Sequence, residues 1–165
     1  LQPRPYVEVQ SYLDFAEPKG ENRYWRTHYV SALSDGLLTT VRDLAASCPM
    51  AEAEIGFLHI GGALNERAED DGAVGNRDAQ FALGINGRWG PDDPNGDAYR
   101  QWVREASTRV VPYTTGSSYI NFQTADEDEA RVRATYGRNF ERLQQIKRKY
   151  DPGNLFRVNR NIRPA

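Results

Sequence analysis

The chain has 165 residues, of which 39% are apolar, 11% aromatic and 27% charged, values typical of one globular domain with a buried core. The formal net charge of −2 gives no general attraction to nucleic acid or to an anionic membrane, so we expect neither partner. The single cysteine, Cys48, excludes an internal disulfide and a thiolate metal cluster. His28 and His59 are the only histidines and would need carboxylate ligands from unknown positions, so we expect no metal site.

The first predicted elements are two strands separated by a turn. Tyr6–Gln10 alternates apolar and polar residues, residues 17–20 contain turn-formers, and residues 23–30 are dense in β-formers. Because side chains alternate along a strand, the second strand presents two different faces. One face carries Tyr24, Arg26, His28 and Val30, and the other carries Trp25, Thr27 and Tyr29.

A helix and a second hydrophobic strand come next. Ser34 or Asp35 can cap a helix with Leu37, Leu38, Val41, Leu44 and Ala45 on one side, and Cys48-Pro49 ends it. Residues 53–60 are apolar on both faces, which predicts a strand inside a sheet. Gly61-Gly62 follows directly. No Gly-Lys-Ser/Thr comes after it, so we interpret this pair as a bulge or a close backbone approach and not as a phosphate loop.

The second half alternates strands and helices. Residues 81–89 predict a strand, and Asp97 can cap a helix that Pro112 terminates. The apolar side of that helix carries Tyr99, Trp102, Val103, Ala106 and Val110. Residues 118–122 predict a short strand, and Asp126 with Glu129 has the order of a capping box.

The last thirty residues predict a helix, a firm stop and an extended tail. Phe140, Leu143, Ile146 or Lys147, and Tyr150 recur at helical spacing and predict a buried stripe. Asp151-Pro152-Gly153-Asn154 then supplies four turn-formers in a row. Together these elements predict an α+β fold: an antiparallel sheet of four or five strands with helices packed on one face.

Tyr119 and Asn121 form the one constellation with an evident chemical use. On a strand both side chains lie on the same face, while Ile120 and Phe122 enter the core. A phenol beside an amide, held on a rigid element, can present an acid or base to a bound ring. A phenol ordinarily loses its proton near pH ~10, so a tyrosine base needs a nearby positive group, hydrogen bonds or a bound cofactor.

The closing segment carries a string of rare residues in a fixed order: Tyr136-Gly137-x-Asn139, Arg142-Leu143, Lys147-x-x-Tyr150-Asp151-Pro152-x-Asn154-x-Phe156 and Asn161-Ile162-x-Pro164. This string resembles the end of the berberine-bridge-enzyme-like family of FAD-linked oxidases. Tyr119–Phe122 stands where that family carries a Tyr-x-Asn-aromatic strand. Tyr24–Thr27 and Gly61-Gly62-Ala63 resemble two further family motifs more loosely.

The resemblance implies an incomplete enzyme. Residues 1–125 would be a substrate-binding-type α+β domain, and residues 126–165 the berberine-bridge-enzyme-like C-terminal segment. FAD would be bound mainly by an N-terminal domain preceding Leu1, and the final helix and tail would pack on that domain. We therefore expect this chain alone to be inactive, with a small-molecule substrate as its other partner and a homodimer as a possible assembly.

The resemblance also implies roles for three residues. Tyr119 would remove a proton from the substrate while hydride passes to the flavin and oxygen reoxidises it. Asn121 would lie close to the cofactor. Glu66 stands near an acidic position that helps proton removal in some relatives, although a solvated surface charge is the simpler explanation. The alternative function is a stand-alone α+β module that binds a ligand or oligomerises without catalysis.

Overall fold

The computed structural model describes residues 2–12, 14, 18–158 and 160–165. Over these residues the fold is α+β, as predicted. The elements are, in order, α1 (Tyr6–Gln10), β1 (Asn22–Val30), α2 (Asp35–Ala46), β2 (Glu52–His59), β3 (Phe81–Trp89), α3 (Gly96–Val110), α4 (Glu129–Tyr136) and α5 (Phe140–Tyr150). Short 3₁₀ turns lie at Gly62–Leu64, Val111–Tyr113, Ile120–Phe122 and Gly137–Asn139. Parts of the predicted turn at 17–20 and of the tail, at Glu17 and Asn159, lie outside the described residues.

The sheet is antiparallel, with β3 in the centre and β1 and β2 at its edges. It has three strands in the described part of the chain, so the expectation of four or five was wrong. Tyr6–Gln10, predicted as a strand, is a helix whose first turn is closed by N–H bonds from Glu8 and Val9 to the Pro5 carbonyl, at 3.0 and 3.2 Å. The predicted strand at 118–122 is a 3₁₀ turn.

The strand β2 lies at an edge, which corrects its predicted place inside the sheet. Leu58 is 60% exposed, and every backbone bond of β2 to another strand goes to β3. Its side chains Ala53, Ile55 and Phe57 pack partly buried against the core, whereas Leu58 lies on the opposite face. Gly61-Gly62 does not form a bulge within a strand. Gly62 adopts a φ of +81° and opens a 3₁₀ turn that carries the chain away from the sheet.

Helices α2 and α3 cover one face of the sheet, as expected. Their buried side chains meet those of β1 and β3 in a single core that contains Val30, Leu37, Leu44, Leu83, Ile85, Val103, Ala106 and Val110. Helix α3 packs directly on β1 and β3, and α2 packs on α3. Because these helices lie on one side, the opposite face of the sheet remains open.

The helix starts differ from the predicted caps in two places. Ser34 caps α2 as predicted, accepting the Leu37 N–H at 3.3 Å. Helix α3 begins one residue before Asp97, and Asp97 pairs with Arg100 in the first turn. At α4 the cap is Asp128, which accepts the Arg131 N–H at 2.8 Å.

Asp126 is drawn away from α4 by cations on the sheet side. Its carboxylate accepts bonds from Tyr24 Oη at 2.6 Å, Arg26 Nη2 at 2.9 Å and Arg104 Nη2 at 3.1 Å. The Arg26 bond above all, with the other two, holds the pKa of Asp126 far below its usual range. The predicted capping box is therefore wrong, and Asp126 instead fastens the loop before α4 to β1 and α3.

Helix α5 and its stop agree with the prediction, but the buried stripe does not extend along the helix. Phe140 is buried, whereas Ile146 and Tyr150 are exposed. The carboxylate of Asp151 accepts the N–H groups of Leu155, at 2.7 Å, and Phe156, at 3.0 Å, and so closes the turn. This turn directs Leu155 and Phe156 outward, where both are largely exposed.

Candidate functional site

The open face of the sheet forms a shallow groove of about 970 Å³. The strand register places side chains on it in rows: Trp25, Asn86 and Glu54; then Thr27, Gly84 and Gly56; then Tyr29, Ala82 and Leu58. The middle row contains two glycines directly opposite one another. The centre of the groove therefore exposes backbone without side chains, which lets a flat ring approach closely.

The segment that carries Tyr119 runs beside the outer edge of β1. Tyr29 donates its N–H to Ser117 O at 2.8 Å and accepts the Thr115 N–H at 2.9 Å. Further along, the Trp25 indole N–H donates to Phe122 O at 2.7 Å. Between these attachments the Phe122 N–H bonds back to Tyr119 O, at 2.9 Å, which makes a turn and leaves no strand ladder.

The structure brings Tyr119 and Asn121 together, although not through strand alternation. Asn121 Nδ2 donates to Tyr119 Oη at 2.6 Å. The ring of Phe122 meets the ring of Tyr119 edge to face, with centroids 5.2 Å apart. Side chains three residues apart share one side of a 3₁₀ turn, so Phe122 lies beside Tyr119 and is 43% exposed. The prediction that Phe122 enters the core was wrong.

Tyr29 lies within electrostatic reach of Tyr119 and also of Arg77. Burial raises the pKa of Tyr29, the nearby Tyr119 phenol raises it further, and the Arg77 guanidinium lowers it. Arg77 is held by the carbonyls of Leu64 and Asp71, both at 3.1 Å. Sequence reasoning placed Tyr29 on the correct strand face but did not connect it with Tyr119, since their proximity depends on how residues 115–122 pass β1.

Glu66 lies on the exposed loop that follows the Gly62–Leu64 turn. No hydrogen bond or ion pair in the described part of the chain joins it to Tyr119 or Asn121. The structure therefore does not unite Glu66 with the other two predicted site residues.

No helix among the described residues is long and apolar enough to cross a membrane. The same residues contain no cluster of three or more His, Cys, Asp or Glu side chains that could hold a metal ion.

Comparison with known proteins connects this geometry to a family. Residues 118–163, which include the Tyr119 turn, match the family model described as berberine and berberine like. An FAD-linked oxidoreductase of Dictyostelium discoideum is 31% identical over 97% of this chain and 35% of its own length. Aclacinomycin-N/aclacinomycin-A oxidase of Streptomyces galilaeus is 27% identical over 91% of this chain and 30% of its own length.

The fold agrees with the sequence comparison. The structure of berberine bridge enzyme from Eschscholzia californica superposes with a TM-score of 0.81, covering 97% of this chain and 39% of that protein at 16% identity. At that identity the likeness shows the fold alone. The chain spans about a third of the length of the curated relatives it matches. Sequence similarity and fold together show that the chain belongs to the berberine-bridge-enzyme-like family of FAD-linked oxidoreductases.

Proposed function

We propose that this chain forms the substrate side of an FAD-dependent oxidoreductase that oxidises an organic molecule. The observation that carries the proposal is the hydrogen-bonded Tyr119–Asn121 pair, whose Tyr119 ring contacts Phe122 in the lining of the open sheet groove. FAD, when bound, would supply the hydride acceptor and a route for the electrons to oxygen. The comparisons favour this function over that of a stand-alone binding module, because the matched relatives are named as FAD-linked oxidoreductases and oxidases.

The groove fits a flat ring system. A Cβ atom on Gly84 would meet only the Asn86 amide, at 3.4 Å, and one on Gly56 only the Glu54 side chain, at 3.1 Å, so the space above both backbones is open. Thr27 Oγ1, in the same row, is buried and has no partner among the residues that the structure describes. The accessible backbone of the two glycines and the unpaired Thr27 hydroxyl suit an aromatic ring that carries a polar substituent.

The side chains present supply a proton acceptor and a partial shield from water. Tyr119 Oη acts as the phenolate, takes the proton from the substrate and becomes a neutral phenol, and Asn121, which donates to that oxygen, stabilises the phenolate before the transfer. Trp25 and Phe122 line the groove beside it. We assign Asn121 the further role of approaching the flavin, and we retain Glu66 only as a second candidate base.

The proposed division of the chain falls between residues 125 and 126, and the hydrogen bonds of Asp126 and Thr135 cross it. Residues 1–125 hold the groove and form the substrate-binding part, and residues 126–165 form the closing segment. The exposed Leu155, Phe156 and Val158 support docking of that segment on an N-terminal FAD-binding domain of the same protein. That domain would hold most of the dinucleotide. A homodimer through the same surface is the alternative partner.

Replacing Tyr119 by Phe tests the proposed function. The change removes one oxygen from a side chain that is 36% exposed, so the fold should be unaffected. In the complete protein loaded with FAD, we expect anaerobic flavin reduction to slow by about 10²–10⁴-fold, the usual worth of a positioned base. The measurement is stopped-flow bleaching of the flavin band with the best substrate from a panel of benzylic and sugar alcohols.

Tyr113→Phe is the matched control, since Tyr113 is 37% exposed and ends the 3₁₀ turn after α3. The control should reduce its flavin at the unchanged rate. An undiminished rate in Tyr119→Phe would show that the base is elsewhere. The rate of flavin reduction would then be measured in Glu66→Gln.

A further inference from the structure

The turn that carries Tyr119 rests on a buried polar network formed by Ser118, Gln123 and Thr135. Ser118 and Gln123 stand immediately before and after Tyr119–Phe122, and both are buried, whereas Tyr119 and Phe122 are partly exposed. Gln123 Nε2 donates to Ser118 Oγ at 3.2 Å and so bridges the two ends of the turn. A side-chain hydrogen bond therefore joins the two buried residues that flank the exposed turn.

Helix α4 completes this buried polar network. Gln123 Nε2 also donates to Thr135 Oγ1, at 2.7 Å. The Thr135 hydroxyl in turn lies 3.1 Å from Ser118 O and 3.0 Å from Arg131 O, either of which can accept its hydrogen. One amide thus connects both ends of the turn to a helix, and the 3₁₀ turn cannot shift along β1 without breaking these bonds.

We infer that Gln123 is a positioning residue that holds Tyr119 at the groove in the geometry needed for proton transfer. The inference rests on the proposed function of Tyr119. A catalytic group must be held within about 0.5 Å of its productive position, and its supporting shell provides that precision. A misplacement of about 1 Å can cost about 10²-fold in rate.

The amide of Gln123 is not arranged for stability alone. Its Oε1 atom is buried and has no partner within the described residues. An apolar side chain of similar shape would avoid that orphan oxygen, so Gln123→Met removes the bridge while filling the same space. This property makes the substitution a suitable test.

The first measurement is the rate of flavin reduction in the complete FAD-loaded protein, with the alcohol substrate used for Tyr119→Phe. We expect Gln123→Met to lower the limiting rate by about 10–10²-fold while the substrate concentration at half-saturation changes by less than about 3-fold. In the Tyr119→Phe background the same substitution should have no further effect on the rate, because it acts through the Tyr119 hydroxyl. Gln101→Met, at an exposed position of α3, is the matched control and should leave the rate unchanged.

The second measurement needs no substrate. Amide hydrogen exchange of a peptide covering residues 118–124 should become faster in Gln123→Met by about 10-fold or more, while peptides from β1 and β3 exchange as before. Thr135→Val provides a second variant with the same expectation, since it removes the hydroxyl to which Gln123 donates. It keeps the test available if the first variant fails to fold.

The outcomes separate the two proposals. If Tyr119→Phe slows reduction but Gln123→Met and Thr135→Val do not, Gln123 does not position Tyr119, and the inference is overturned. Equal effects of Gln123→Met with and without the Tyr119 hydroxyl would overturn it as well. If Tyr119→Phe has no effect, the proposed function fails, and unchanged hydrogen exchange would then refute the ordering of the turn too.

Discussion

His28 is a completely buried side chain on the helix-covered face of the sheet. Its Nε2 lies 2.8 Å from Ser107 Oγ on α3, and its Nδ1 is 3.5 Å from Arg131 Nη1 on α4. Burial, and then the positive charges of Arg131 and Arg26, lowers the pKa of His28 to about 3. The ring is therefore neutral near pH ~7 and joins β1 to two helices, which is a structural role and not a metal or catalytic one.

This histidine makes stability depend on pH. Its folded pKa of about 3 lies below the ordinary value of 6.5, so between these values the unfolded chain binds one more proton than the folded chain. Stability should therefore be lost as pH falls below about 6.5, with a slope of up to ~1.4 kcal/mol per pH unit from this group. We expect the slope to disappear in His28→Asn, measured by urea unfolding between about pH 5 and 7. Parallel profiles for the two proteins would contradict the assignment.

The helix α2 shows how an element acquires its stabilising face. Leu37 is fully buried, whereas the next residue, Leu38, is 43% exposed, because consecutive helical residues point about 100° apart. Sequence periodicity placed both leucines on the apolar side, and packing against α3 and the sheet decided between them. Of the predicted stripe, Leu37, Val41 and Leu44 join the core, while Leu38 and Ala45 do not.

The two neighbouring leucines make a matched pair for mutagenesis. Leu37→Ala should lower the free energy of unfolding by about 2–5 kcal/mol, since it leaves a cavity among β-strand and helix side chains. Leu38→Ala makes the same chemical change on a partly exposed residue and should cost less than about 1 kcal/mol. Chemical denaturation of both variants measures the difference. Equal losses would show that α2 turns a different face to the core.

For the molecule as a whole, the open groove and the exposed closing segment are two surfaces that the described part of this chain leaves uncovered. Asp151 organises the second one. The bond from Lys147 above all, together with the Leu155 and Phe156 N–H groups, holds the pKa of Asp151 below its usual range. Lys147 also donates to Phe156 O, so the outward-facing apolar residues stand on a defined turn. A defined apolar turn is what the proposed docking on an FAD-binding domain requires.

Comparing one substitution in two contexts tests this docking. Phe156 is 76% exposed, so Phe156→Ser should change the free energy of unfolding of the 165-residue chain by less than about 0.5 kcal/mol. In the complete FAD-loaded protein the same change should lower the thermal midpoint by several degrees, because a covered Phe is lost from an interface. Calorimetry on both proteins gives the comparison, and an equally small effect in each would argue against docking through this segment.

Most of the regular elements could be predicted from the sequence because their signals are local. Strands β1 and β3 follow from alternating β-formers, α2 from the Ser34 cap and periodic leucines, and the end of α5 from Asp151-Pro152-Gly153-Asn154. The family could be predicted as well, because the order of the closing motifs is a property of the sequence alone. The cap and the turn are stabilised by hydrogen bonds within a few residues, and alternating side chains mark the strands although their backbone bonds go to distant strands.

Tertiary structure decided the site. Residue types could show that a phenol and an amide lie two positions apart, but strand and 3₁₀ turn use the same residues and differ in their hydrogen-bond partners. Those partners are distant in sequence: Trp25 and Tyr29 on β1, and Thr135 on α4. Such long-range pairings also determine the position of β2 at the sheet edge and the buried polar network around Gln123. The sequence by itself thus determined the family, most elements and the candidate residues, and only the packing of remote segments determined how Tyr119 is held, because a backbone group takes whichever partner the assembled fold brings to it.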